Sequence, residues 1–314
     1  MTLLYHDPLF QRHETGNHPE RSERLQAIDA RLRAEGLLQR CTAGAIRRLP
    51  IAQTQAVHRA EVAQRAETLA QAGGGHLDAD TVVCPESVEV ALAAAGSCCA
   101  AVEAVLTGQD SNALCLVRPP GHHATPTRSM GFCLFNSVAL AARRAQQLGA
   151  ARVLIVDWDV HHGNGTQDIF YDDPRVTFVS IHRYGNGFYP GTGAADETGT
   201  GPGLGHTFNV ALPRTTQRNA YLQAVENVLH RATAAARPDL VLISAGFDAH
   251  RDDPIGGLNL EVDDFATLTR LLLQLADTHC QGRLVSCLEG GYHLEALAAS
   301  VAVHLREMLQ GSAG

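Results

Sequence analysis

Short, unbroken apolar runs recur along this chain, and five of them stop abruptly in clusters of Gly, His, Asp, Glu or Tyr. Leu114–Val117 runs into Arg118-Pro119-Pro120-Gly121-His122-His123, and Val153–Val156 runs into Asp157-Trp158-Asp159-Val160-His161-His162-Gly163. Val176–Ile181 ends at His182, Leu240–Ile243 runs into Ser244-Ala245-Gly246-Phe247-Asp248, and Leu284–Leu288 runs into Glu289-Gly290-Gly291-Tyr292. Runs this short and continuous predict strands buried on both faces. Ala-rich or amphipathic stretches predict helices over 22–37, 52–73, 87–107, 136–148, 220–236, 262–278 and 293–309, with Gly149 as a C-terminal stop. Residues 1–25 and the Gly-rich 183–206 read as loops. Strands alternating with helices predict an α/β fold on a mostly parallel sheet. Such sheets bind ligands beyond the carboxyl ends of their strands, where the polar clusters fall. No repeat or linker interrupts the pattern, so residues 1–314 are expected to form a single domain.

Composition narrows the function. The 314 residues are 45% hydrophobic and 18% charged, with a net charge of −8. That balance disfavours a nucleic-acid binder that works by neutralising phosphates. The first residues lack a basic start followed by an apolar core, and no membrane span is expected. Eight cysteines without a CxxC pair read as reduced, mostly buried thiols, so a cytoplasmic protein is expected.

Four of the polar clusters carry candidate chemistry. If the strand stays extended past Val156, Asp157, Asp159 and His161 share one face while Trp158 and Val160 pack on the other. Two carboxylates and an imidazole suit a divalent cation; an acidic strand end with a capping histidine is the alternative. Asp248 would be a third ligand leaving an open position, or a turn aspartate. His122-His123 in a Pro-Pro-Gly turn reads as a general acid–base pair or as surface histidines. Tyr292 is a phenol on a Gly-Gly hinge or a half-buried tyrosine.

RPPGHHA at 118–124, GFCLFN at 131–136, DWDVHHGNGTQ at 157–167, SAGFDA at 244–249 and EGGYH at 289–293 resemble the zinc-dependent histone deacetylase superfamily. HETGNHPERSERL at 13–25 and PGTG at 190–193 extend the likeness, which is to the class II and bacterial histone deacetylase-like amidohydrolase branch. The resemblance implies an arginase–deacetylase α/β fold with a central eight-stranded sheet flanked by helices. By motif position it makes Asp159, His161 and Asp248 ligands of one catalytic zinc and His123 the general base and acid. His122, held by Asp157, tunes the site, and Tyr292 donates to the scissile carbonyl. Asn164 stands where class I members carry an aspartate.

The resemblance also places potassium at Asp157, Asp159, His161, Ser180 and Ile181, with a second cation site at Phe170, Asp173 and Val176. It puts substrate contacts at Gly131, Phe132, Tyr189, Ile255 and Gly290. Ile255 replaces the glutamate of a polyamine-selective relative, so an acylated lysine side chain is the expected substrate. Acetylpolyamines or other small amides are the alternative, and a non-catalytic acyl-lysine binding module ranks lower. A dinuclear manganese ureohydrolase is disfavoured because His122 and His123 stand where further carboxylate ligands are needed.

Overall fold

A computed structural model describes residues 1–311. In chain order it contains β1 (Thr2–Tyr5), α1 (Glu23–Ala34), β2 (Cys41–Ala43), α2 (Ala60–Gln71), β3 (Gly75–His76), β4 (Val82–Val83) and α3 (Ser87–Leu106). β5 (Asn112–Cys115), α4 (Ser137–Gln147), β6 (Val153–Asp157), α5 (Asn164–Phe170), β7 (Val176–Arg183) and β8 (Thr207–Leu212) follow. The chain continues through α6 (Arg218–Ala236), β9 (Leu240–Ala245), α7 (Val262–Cys280), β10 (Leu284–Leu288) and α8 (Leu294–Gly311).

Eight strands form one sheet in the order β2-β1-β5-β10-β9-β6-β7-β8, and every neighbouring pair is parallel. The five strands foreseen from the apolar runs lie side by side as β5-β10-β9-β6-β7. Because all are parallel, their polar carboxyl ends converge on one edge. The sheet is covered on both faces. Ser286 bonds to His304 of α8, whereas its neighbour Cys287 meets Cys98 of α3. Successive strand residues point to opposite faces, so α3 and α8 lie on opposite sides. By length and composition α3 is apolar enough to cross a membrane, yet 89% of its apolar window is buried here as a core helix.

Several elements differ from the sequence expectation, among them the short β3, β4 and α5, which it did not include. β1 lies within the stretch expected to be loop, because a strand of only four residues beside turn formers leaves no periodic signal. β8 and the edge strand β2 have no long apolar run and are held by pairing with β7 and β1. The helix expected over 52–73 divides into a 3₁₀ turn at Ile51–Ala56 and α2. His58 lies in the break, its Nδ1 2.8 Å from the Thr125 carbonyl and its Nε2 accepting the Asn136 N–H at 2.9 Å.

Candidate active site

The carboxyl edge of the sheet brings the candidate residues together by a route that differs from simple strand extension. β6 ends at Asp157 and the chain then turns. Asp157 therefore does not join Asp159 and His161; its Oδ2 lies 2.9 Å from His122 Nδ1. Trp158 and Val160 pack into the core, 1% and 0% exposed. The ligand-type atoms of Asp159, His161 and Asp248 all lie within 4.8 Å of one another. His161 Nδ1 is 3.0 Å from Asp159 Oδ1 and 3.2 Å from Asp248 Oδ2. The far carboxylate oxygens are fixed by backbone: Gly290 N–H donates to Asp159 Oδ2 at 2.8 Å, and Val160 N–H to Asp248 Oδ1 at 2.8 Å.

Glycine is a steric requirement behind this cluster. A Cβ on Gly290 would sit 2.2 Å from Asp248 Oδ2, and one on Gly246 2.2 Å from Asp159 Oδ2. Gly290, expected to contact substrate, backs the two carboxylates. Both carboxylates are buried, and among the described residues their ion-pair partners are histidines only. Burial, then the charge of Asp159, pushes the Asp248 carboxyl up to about 7. Two buried acids and an imidazole without an arginine fit a divalent cation, whose charge offsets their desolvation. Three protein donors leave a coordination position for water or substrate.

The paired histidines occupy distinct settings. Asn164 sits at the start of α5 and offers its Oδ1 2.7 Å from His123 Nδ1. An amide oxygen only accepts, so His123 Nδ1 carries the proton and its Nε2 presents a lone pair. Burial, then the neighbouring His122 and His161, holds the His123 imidazolium well below its ordinary range. The two rings are 4.0 Å apart. Glu289 positions their turn: its Oε2 accepts the N–H of Gly121 at 2.6 Å and of His122 at 3.2 Å.

A narrow cavity of about 130 Å³ opens onto His123, His161 and Tyr292, with walls from Gly131, Phe132, Tyr189, Ile255 and Asp80. Tyr189 meets His123 edge to face at 5.1 Å, and Phe132 meets Tyr292 edge to face at 5.9 Å. Phe132 adopts φ +69°, an uncommon conformation for a side chain this bulky. Its N–H is held by Thr81 Oγ1 at 3.1 Å. Burial pushes the Tyr292 phenol well above its ordinary range, so it stays a donor. A larger groove of about 830 Å³ between α6 and α7 lies away from all these groups.

Several residues around the site went unassigned in the sequence. Arg24, fully buried, donates from Nε to the Gly291 carbonyl at 2.6 Å and from Nη2 to the Glu289 carbonyl at 2.5 Å. Its guanidinium lies over the Tyr292 ring at 5.1 Å. Glu20 joins Arg24 to Arg118, and Asp253 accepts the Tyr292 N–H at 2.7 Å. Phe188 stacks on His161 at 5.0 Å, and Asp80 brings a carboxyl to the cavity wall. The motifs containing Glu20, Arg24 and Glu289 were visible, but nothing local revealed their partners. Of the potassium positions, Asp157 and Ser180 are register partners across β6 and β7, and Ser180 Oγ bonds His182. Asp173, assigned to the second cation site, has its carboxylate engaged by Arg143 and Arg175.

A parallel eight-stranded sheet with this carboxylate–imidazole cluster and histidine pair at its carboxyl edge defines an arginase–deacetylase fold. The histone deacetylase domain profile matches residues 18–308, and the chain belongs to that family. It is 41% identical over 295 residues to histone deacetylase 15 of Arabidopsis thaliana, covering 93% of this chain and 53% of that protein. The chain thus spans about half the length of the plant relative. A probable deacetylase of Archaeoglobus fulgidus is 38% identical over 295 residues, 93% of this chain and 81% of its own. The crystal structure of the HDA15 HD domain superposes with a TM-score of 0.92 at 39% identity, covering 98% of this chain and 88% of that one.

Proposed function

We propose that this protein is a zinc-dependent amidohydrolase that removes acetyl or related acyl groups from acylated lysine side chains. One observation carries the proposal. His123 presents an unprotonated Nε2, fixed by its hydrogen bond to Asn164, in the same narrow cavity that exposes His161 and Tyr292. Asp159, His161 and Asp248 would hold the cation, which when bound supplies Lewis-acid polarisation of the acyl carbonyl and acidifies water.

The protein's own groups account for the proton movements. His123 Nε2 takes a proton from the attacking water and returns it to the amine nitrogen as the C–N bond breaks. Asp157 fixes the tautomer of His122, whose ring lies against that of His123. Tyr292 donates its phenol hydrogen to the oxygen that gains negative charge. Phe132 and Tyr189 flank a slot suited to an aliphatic lysine stem and exclude water from it. A monovalent cation near Asp157 and Ser180 belongs to the same proposal, tested by the loss of activity on exchanging potassium for a larger organic cation.

Asp80 favours a second substrate class. Ile255 offers no charge, but the Asp80 carboxyl lies on the same cavity wall and would attract the distant ammonium of an acetylpolyamine. Burial, then Asp78, raises the Asp80 pKa, which weakens that attraction. Acyl-lysine therefore stands first. The deciding experiment compares kcat/KM for an acetyl-lysine peptide, N-acetylputrescine and N-acetylspermidine, using enzyme with its zinc content measured. Turnover of the peptide above both amines is expected. Zinc-loaded protein that hydrolyses none of the three overturns the proposal.

A further inference from the structure

Three thiols meet inside the fold, away from every group used above. Cys115 in β5 and Cys287 in β10 are register partners, so their side chains emerge on the same face of the sheet, toward α3. Cys98 lies midway along α3 and faces them. Cys98 Sγ and Cys287 Sγ are 3.3 Å apart, and all three sulfurs lie within 4.8 Å of one another. All three are free thiols, 0%, 0% and 1% exposed. No step of the proposed hydrolysis needs them.

We propose that Cys98, Cys115 and Cys287 form a binding site for a soft trivalent metalloid, of which arsenite is the probe. Three sulfur donors converging from separate segments select a soft centre over the hard cations that carboxylates hold. Charge decides among soft centres. A divalent or monovalent ion on three thiolates leaves net negative charge in an apolar core, at a large desolvation cost. A trivalent centre on three thiolates is neutral.

The protonation balance points the same way. Burial pushes the Cys115 thiol well above its ordinary range, so it rests as neutral S–H, whereas hydrogen bonds from Cys115 and Cys98 bring the Cys287 thiol down to about 5. Arsenous acid reacts with three thiols without redox change, and a Cys287 thiolate takes up one proton from solvent on the way. Three As–O bonds break, three As–S bonds form, and each thiol proton leaves on a departing hydroxide as water. The product is neutral, and no proton has to be expelled to solvent. Entry requires α3 to part from the sheet, so loading follows local opening and is slow. Once loaded, the centre links α3, β5 and β10 and stabilises the native state by mass action.

The test incubates the intact reduced protein with arsenite a few degrees below its melting midpoint, then exchanges the buffer. Native mass spectrometry should show one arsenic gained and three hydrogens lost per chain, with a raised Tm. Cys98→Ala, Cys115→Ala and Cys287→Ala should each weaken retention beyond the roughly 10–100-fold typical of losing a supporting partner at a metal site. Cys84→Ala should bind as wild type. X-ray absorption on loaded wild type, which needs no variant to fold, should find three sulfur neighbours and no oxygen. No retained arsenic, retention by folded Cys115→Ala, or a mixed sulfur–oxygen shell overturns the proposal.

Discussion

Glu20→Gln isolates the buried charge cluster that holds the loops carrying His122, His123 and Tyr292. Glu20 is 0% exposed and is shared by Arg24 and Arg118. Burial alone would raise its pKa, but Arg118 and then Arg24 outweigh that and bring it from 4.5 down to about 2. A displacement of that size corresponds to roughly 3 kcal/mol of stability at neutral pH. Breaking a buried pair by removing one partner costs about 3–5 kcal/mol, so the two routes agree. Because the folded-state pKa is depressed, the contribution is complete above the unfolded value of 4.5 and is lost as pH falls through about 2. His13 contributes in a separate window. Burial lowers its pKa from 6.5 to about 4 against the opposing charge of Glu20, so its share is complete above 6.5 and declines as pH falls toward 4, and without Glu20 its pKa falls further. The difference between wild type and Glu20→Gln should therefore be about 3 kcal/mol at neutral pH and narrow only below 4.5. Urea denaturation across this pH range measures it. A difference under about 1 kcal/mol at neutral pH, the worth of an exposed pair, would refute the reasoning. A difference that does not narrow in acid would refute it equally.

Asp159→Ala should abolish the single bound zinc and all turnover; metal analysis showing one ion per chain with activity intact would remove the cluster from the mechanism. Tyr292→Phe should lower kcat by roughly 100–1000-fold with little change in KM, as loss of one oxyanion donor does elsewhere, and steady-state kinetics within threefold of wild type contradict that role. Ile255→Glu should shift the peptide-to-polyamine ratio of kcat/KM toward the polyamine, and Asp80→Asn should shift it the other way. Each rim change should alter the ratio by no more than the 0–1 kcal/mol of an exposed ion pair. Gly290→Ala should lose metal affinity more than global stability, because its Cβ meets both ligand carboxylates; unchanged zinc retention under chelator argues against that steric role.

The sequence by itself determined what is local. Five apolar runs ending in polar clusters identified the five adjacent strands of the sheet, since a strand buried on both faces must be apolar throughout. Asp159 and His161, two residues apart, were legible as a candidate pair because neighbours along a chain stay neighbours in space. What joined them was not. The turn after Asp157 sends that carboxylate to His122 while Asp159 and His161 face Asp248. Placing β10 between β5 and β9 brings Glu289 to the His122-His123 turn and Gly290 against both carboxylates. Arg24 reaches Gly291 across 267 positions of sequence, and Phe188 and Asp80 come from loops with no periodicity to read. The three thiols likewise gain meaning only when α3 is laid across β5 and β10. Periodicity reports which face of an element is buried; it carries no information on which distant element covers that face, and the covering elements supply the partners.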